Sequence, residues 1–273
     1  MIRVGIGGWN FEPWRKTFFP PGLPQAKELA YASRHVTAIE VNGTFYRTQT
    51  PESFRRWRDE TPDDFVFSLK GPRYVVNRRV LGEAGESIAR FLESGITELG
   101  PKLGPLLWQF APTKKFDPDD FAAFLQALPD SQDGHALRHA LEVRHPSFGD
   151  PAFIELARKH RAAIVYADSH KYPAIADPIA DFTYARLLEA HEEEPTGYPP
   201  VELDAWAERA RVWESGKVPA DLTQVSEGAA EKQSGGRDVF IFMINGAKVR
   251  APHAARGLLS ALGIALPEAE AAS

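Results

Sequence analysis

Cysteine is absent from all 273 residues. Disulfide scaffolds, thiolate metal sites and thiol nucleophiles are therefore excluded. Long apolar runs are also missing. The longest, Val239–Ile244, falls far short of the ~20 residues a membrane helix requires. The opening stretch, MIRVGIGGWN, has no basic segment leading into an apolar run, so no secretory signal is read and the expected location is cytoplasmic. Excess positive charge is lacking too. A formal net charge of -5 argues against general affinity for nucleic-acid backbone and leaves only a local basic patch open. What is present is ordinary for a globular chain with a real core: 43% hydrophobic and 25% charged residues. The length suits one large barrel or two modest domains.

Pattern decides between them. Eight short β-rich segments follow one another: Ile2–Ile6, Thr37–Asn42, Phe65–Lys70, Pro105–Phe110, His139–Arg144, Ala162–Ala167, Phe182–Leu187 and Val239–Ile244. Helical patterns or long loops separate them. Strands alternating with helices read as βαβ units on a parallel sheet, and eight such units are the (β/α)8 TIM barrel. The expected fold is therefore α/β, one barrel domain over residues 1–273. Thr50-Pro51, Asp117-Pro118 and Asp150-Pro151 each put a capping side chain before a proline at the first helical position. Apolar stripes such as Phe121, Phe124, Leu125 and Leu128 mark the faces that pack inward. Asp168 to Asp181 is too short and too rich in proline for a crossover helix, so helix six is expected to be vestigial. Residues 217–237 read as a polar surface loop and residues 266–273 as a flexible tail.

The strand ends carry the chemistry. Residues two apart in a strand share a face. Strand two sets Ala38, Glu40 and Asn42 against Ile39 and Val41. Strand five sets Ala140, Glu142 and Arg144 against Leu141 and Val143. Strand three ends in Lys70, strand four in Gln109 and strand seven in Arg186. Strand six, read as Ile164, Tyr166, Asp168, and strand eight, read as Ile241, Met243, Asn245, also close on polar residues. Polar groups converging at the C-terminal rim are the arrangement barrel enzymes use. Candidate catalytic residues are Glu40, Lys70, Glu142, Arg144, His145 and Asp168. Candidate substrate contacts are Trp9, Asn42, Tyr46, Arg47, Arg73, Gln109, Arg186 and Asn245. The bland alternative is that these groups merely satisfy one another, Glu40 with Arg144, Glu142 with Lys70 and Asp168 with Arg186. The acids with His145 form a conceivable divalent-ion site. No HxH or HExxH spacing occurs, however, and lysine and arginine interleave the acids, so neither metal nor cofactor is expected.

These motifs resemble the YecE-like family, domain of unknown function 72. The resemblance rests on Gly5–Trp9, on Glu40 followed by Val41-Asn42-Gly43-Thr44-Phe45-Tyr46, on Trp57 with Thr61-Pro62, and on Phe65–Lys70 with Pro72. It continues through Leu106–Pro112, Glu142-Val143-Arg144-His145-Pro146-Ser147-Phe148 and Ala167-Asp168, and so spans almost the whole chain. It implies a β/α barrel and a polar strand-end pocket at Glu40, Asn42, Tyr46, Lys70, Glu142, Arg144, His145 and Asp168. It implies no particular activity. Two places depart from the family pattern. Arg186 is followed by Leu187-Leu188-Glu189 rather than an Arg-x-His-Gly segment, and Asn245 stands alone before Gly246 where paired asparagines are common.

Three functional readings follow. The first is a hydrolase, lyase or isomerase acting on an anionic phosphorylated, sugar-like or nucleotide-like substrate at the mouth. There Glu142 or Glu40 would move a proton while Arg144, Arg186 and Lys70 hold negative charge. Arg47 and Arg73 tilt the rim positive, and Trp9 and Tyr46 offer stacking faces. The second is a non-catalytic ligand- or partner-binding barrel. The third is a nucleic-acid enzyme using the Arg73–Arg79 loop, whose binding would fall steeply with added salt.

Overall fold

The computed structural model describes residues 1–226 and 236–266. Eight parallel strands close into a barrel: β1 (Ile2–Gly7), β2 (Ala38–Val41), β3 (Val66–Lys70), β4 (Leu103–Gln109), β5 (His139–Glu142), β6 (Ala163–Asp168), β7 (Phe182–Leu187) and β8 (Asp238–Met243). Each strand pairs with its sequence neighbours. The ring shuts where β1 meets β8, with Ile2 opposite Val239 and Ile6 opposite Met243. Every strand foreseen from the sequence is present, with boundaries displaced by no more than a few residues. A small antiparallel hairpin, Ser131–Gln132 with His135–Ala136, lies outside the barrel.

The lumen is filled, as small barrels require. Large rings of Phe182, Phe240 and Phe242 enter from β7 and β8, and the facing strands supply Ala38, Ala140, Ala163 and Ala167. Close packing needs this exchange of large for small. Gly5 belongs to the same logic, since a Cβ there would lie 2.2 Å from the Ala38 carbonyl oxygen and 2.9 Å from the Phe242 ring. Above this apolar floor the lumen turns polar towards the C-terminal mouth.

The helices start where their caps predict. Thr50 accepts from the Ser53 N–H, Asp117 from those of Asp119 and Asp120, and Asp150 from that of Ala152. Each removes an orphan donor from a first turn. Between β6 and β7 no helix forms, in keeping with the vestigial helix six. The slot is filled by other means. The Asp177 carboxylate accepts from the Val225 and Ser226 N–H groups at 2.7 and 2.9 Å. The buried Arg237 guanidinium donates to the carbonyls of Pro178, Ala180 and Gly216. Of the expected polar loop and tail, residues 227–235 and 267–273 lie outside the described residues. Among the described residues no helix is long and apolar enough to cross a membrane.

Candidate active site

The polar top of the lumen is organised by one guanidinium. Arg186, on β7, is 2% exposed. Its Nε and Nη2 donate to the two oxygens of Glu40 on β2, each at 3.0 Å, and its Nη1 donates to Glu142 on β5. A planar fork with fixed donors suits this double duty, which a lysine could not perform. Tyr184, two residues earlier on the same face, donates to Glu40 at 2.8 Å and touches the Ser68 hydroxyl at 2.9 Å. Gln109 donates to Glu142 at 2.7 Å, and Arg144 donates to its other oxygen at 2.8 Å. Asn42 donates to Glu40 at 3.3 Å. The carboxylates are thus almost saturated. Burial alone would raise Glu142, but Arg186 and Arg144 hold it well below the ordinary carboxylate range. Burial likewise opposes the charge on Arg186, and Glu142 and Glu40 outweigh it. Burial and the neighbouring Glu40 charge push the Tyr184 phenol far up.

The ion pairs differ from those named in the alternative that the groups merely satisfy one another. Glu40 pairs with Arg186 rather than with Arg144, and Glu142 pairs with Arg186 and Arg144 rather than with Lys70. Lys70 is left over. It is 6% exposed, and its amine sits 4.4 Å from the centroid of the Phe45 ring. Among the described residues no oxygen lies within bonding distance of it. Burial, with Arg186 nearby, lowers the amine to about 8, against the pull of Glu40 and Glu142. Its strand end is firmly placed. Thr44 Oγ1 donates to the Lys70 carbonyl at 2.7 Å. The next residue is Gly71, where a Cβ would come within 2.4 Å of the buried Trp108 ring.

The rim residues divide. The Arg144 side chain retains 16% exposure and stacks on Tyr172, 4.4 Å from guanidinium carbon to ring centroid. Asn42, Trp9, Arg47 and Lys248 line a cavity of about 640 Å³ beside the ends of β1 and β2. Trp9 also meets Trp57 edge to face at 5.2 Å, so it closes the core and walls the cavity together. Tyr46 is 68% exposed, and Arg73 and Asn245 are exposed as well. His145 does not turn towards the acids. Its Nδ1 accepts from the Ser147 N–H at 3.1 Å, capping a short helical turn. In the Arg73–Arg79 loop, Arg78 is tied to Ser87 at 2.8 Å.

Two strands present the opposite face from the one expected. On β6 the lumen receives Ala163, Val165 and Ala167, and on β8 it receives Phe240, Phe242 and Ile244. Asp168 and Asn245 therefore do not join the cluster. Parallel strands are buried on both faces, so both read as apolar and alternation loses its meaning there. Tyr166 meets Trp206 and Trp213 of the covering helix Pro200–Glu214 at 6.0 and 5.8 Å. Asp168 lies on that same outer side. Burial and the nearby Glu189 raise its carboxyl to about 6.

Three contributors were not singled out from the sequence: Ser68, Tyr184 and Tyr172. Tyr184 shares the face of Arg186 at a spacing of two, so the strand pattern contained it. Tyr172 comes from the loop that replaces helix six, and no periodicity points to it. Among the described residues no group of three or more acids and histidines is placed to hold a metal ion.

A family model described as a protein of unknown function, DUF72, matches residues 3–272. The chain is 31% identical to the UPF0759 protein YecE of Escherichia coli K12 over 151 residues, 54% of this chain and 50% of that one. It is 26% identical to the UPF0759 protein YunF of Bacillus subtilis over 160 residues, 57% of this chain and 55% of that one. The chain spans about half the length of the curated relatives it matches. Among solved structures, a DUF72 family protein of Thermotoga maritima aligns with a TM-score of 0.73 at 23% identity, covering 96% of this chain and 99% of that one. Another from Enterococcus faecalis gives 0.71 at 17% identity, covering 98% and 97%. These two likenesses bear on the fold.

Proposed function

Because this chain belongs to the DUF72 family of proteins of unknown function, we propose its activity from the mouth of the barrel: an enzyme acting on a small anionic substrate, of the hydrolase, lyase or isomerase class. One observation carries this reading. Three cations face two carboxylates, the arginines take up both carboxylates, and the Lys70 amine remains without an oxygen partner. Keeping a buried ammonium charged without a counter-ion is unfavourable, so a ligand that brings its own negative charge completes the site. Arg144, partly exposed at the lip, is placed to share that charge with Lys70.

On this reading Glu40 and Glu142 are anchors. Glu142, held by two arginines and an amide, is a weak base whose work is to aim Arg186 and Arg144, and Glu40, held by Arg186, Tyr184 and Asn42, fixes the other edge of the Arg186 fork. Lys70 is the group suited to proton transfer, since an amine that titrates at about 8 samples both forms near neutral pH. The cavity of about 640 Å³ beside β1 and β2 is walled by Trp9, Asn42 and Lys248 and by neither Lys70 nor Arg144.

The test is a metabolite screen by thermal shift on wild type, Arg144→Ala and Lys70→Met. A hit that stabilises wild type and is lost in Arg144→Ala places the ligand at the mouth. Turnover of that hit by wild type, with binding but no turnover in Lys70→Met, supports catalysis. A hit bound equally by all three proteins overturns the reading. A hit that no protein converts leaves a binding barrel instead of an enzyme.

A further inference from the structure

The chain contains two lysines buried in its interior that are treated in opposite ways. Lys102, 5% exposed, donates to the Arg58 carbonyl at 2.5 Å, the Thr61 carbonyl at 2.7 Å and the Thr61 hydroxyl at 3.3 Å. Its three donors meet three oxygens, which is how a structural ammonium is stabilised. Lys70, 6% exposed, donates to none and lies against an aromatic face. Both carboxylates of its own lumen are turned to arginines. An amine on a largely buried side chain, with no protein acceptor and beside other cations, is an activated nucleophile.

We propose that Lys70 captures a small aldehyde or ketone bearing an anionic group, forming an imine between its amine and the carbonyl carbon. This rests on the anionic-substrate reading above and names the substrate class. The nitrogen lone pair makes the new N–C bond while the carbonyl π pair moves to oxygen. A proton passes from nitrogen to that oxygen, the hydroxyl takes one solvent proton and leaves as water, and a protonated C=N bond remains. Amine, carbonyl and one proton therefore give a protonated imine and one water, with no oxidant or reductant. The product keeps one positive charge where the ammonium stood, so Glu40 and Glu142 face the same charge before and after. Arg144 at the lip holds the substrate anion, and the imine then draws electrons from the adjacent carbon bond, as lyase or isomerase chemistry needs. An amine titrating at about 8 is roughly a tenth neutral at pH 7, where an ordinary lysine is neutral in roughly one molecule in three thousand.

The experiment incubates the full chain with pyruvate, with dihydroxyacetone phosphate, and with neutral dihydroxyacetone, each with cyanoborohydride to fix any imine. Intact mass and peptide mapping then locate the adduct. The expected result is one adduct, on Lys70, formed about tenfold faster with an anionic carbonyl than with the neutral one. The carboxylate and phosphate arms decide which anion the site takes. The rate should climb through pH 8, and the anion preference should vanish in Arg144→Ala. Lys70→Met and Lys70→Arg should lose the adduct while melting cooperatively. Adducts scattered over other lysines with Lys70 unmodified by every probe overturn the proposal. Thermal shift on the same probes separates the two claims. Arg144-dependent stabilisation without an adduct sinks the imine and keeps the anion site, whereas a Lys70 adduct equal for charged and neutral probes does the reverse.

Discussion

Glu142 and Asp168 close neighbouring strands of one barrel, β5 and β6, and their surroundings push them in opposite directions. Glu142 points into the lumen, where Arg186, Arg144 and Gln109 meet it. Asp168 points out to the helix layer, where Glu189 and Glu202 add like charge. Arg209, the cation that pulls its carboxyl down, is committed to Asp221 at 2.7 Å. Burial opposes ionisation at both sites. What differs is whether the second layer supplies cations or anions. A carboxylate at a barrel strand end is thus a role only once its face is known.

Breaking the lumen side should have the largest effect. Arg186→Met strands two buried carboxylates against each other, and we expect a loss of about 5 kcal/mol in urea unfolding. Part of that loss should disappear at low pH, where the stranded carboxyls protonate. Arg186→Lys should rescue little, because a point charge cannot span Glu40 and Glu142. Next, Glu142→Gln leaves both arginines without full charge compensation and should cost about 3 kcal/mol at neutral pH. Glu142 is held below its usual range when folded, so its contribution is present above the ordinary carboxylate value and lost as pH falls through the depressed one. Tyr184→Phe removes one donor to a charged acceptor and should cost about 2 kcal/mol. Equal stability of the four variants and wild type would mean that the cluster does not hold the barrel together.

The barrel was legible because eight β-rich runs and three Thr-Pro or Asp-Pro helix starts are local signals, readable within a few residues. The lumen cluster was half legible. Period-two alternation put Glu40, Lys70, Glu142, Arg144 and Arg186 on inward faces, because β2, β3, β5 and β7 carry charge on one side only. Partner choice was not readable. Arg186 reaches Glu40 from across the barrel, and which carboxylate it meets depends on the register and tilt of strands between them. Asp168 and Asn245 were misplaced for a related reason. Ile164-Val165-Tyr166-Ala167 and Phe240-Ile241-Phe242-Met243 are apolar on both faces, so the polar residue that follows gives no sign of its direction. Tyr172 was missed because it belongs to a loop, where no period operates.

The finest test of the contrast is the smallest. Asp168→Asn should stabilise the protein near pH 7.5, opposite in sign to Glu142→Gln. Folded, the Asp168 carboxyl titrates at about 6, above its ordinary value of 3.8. Between those values the folded state holds the extra proton, so its stability falls as pH rises through the window and the loss is complete above about pH 6. Asparagine cannot ionise and escapes that loss. The full shift corresponds to at most about 3 kcal/mol. The group is partly open to water and screened, so we expect a gain of about 1 kcal/mol. Urea midpoints for Asp168→Asn and wild type should coincide at pH 4 and separate by pH 7.5. A separation of the opposite sign would mean that Asp168, like Glu142, has a cation holding it charged.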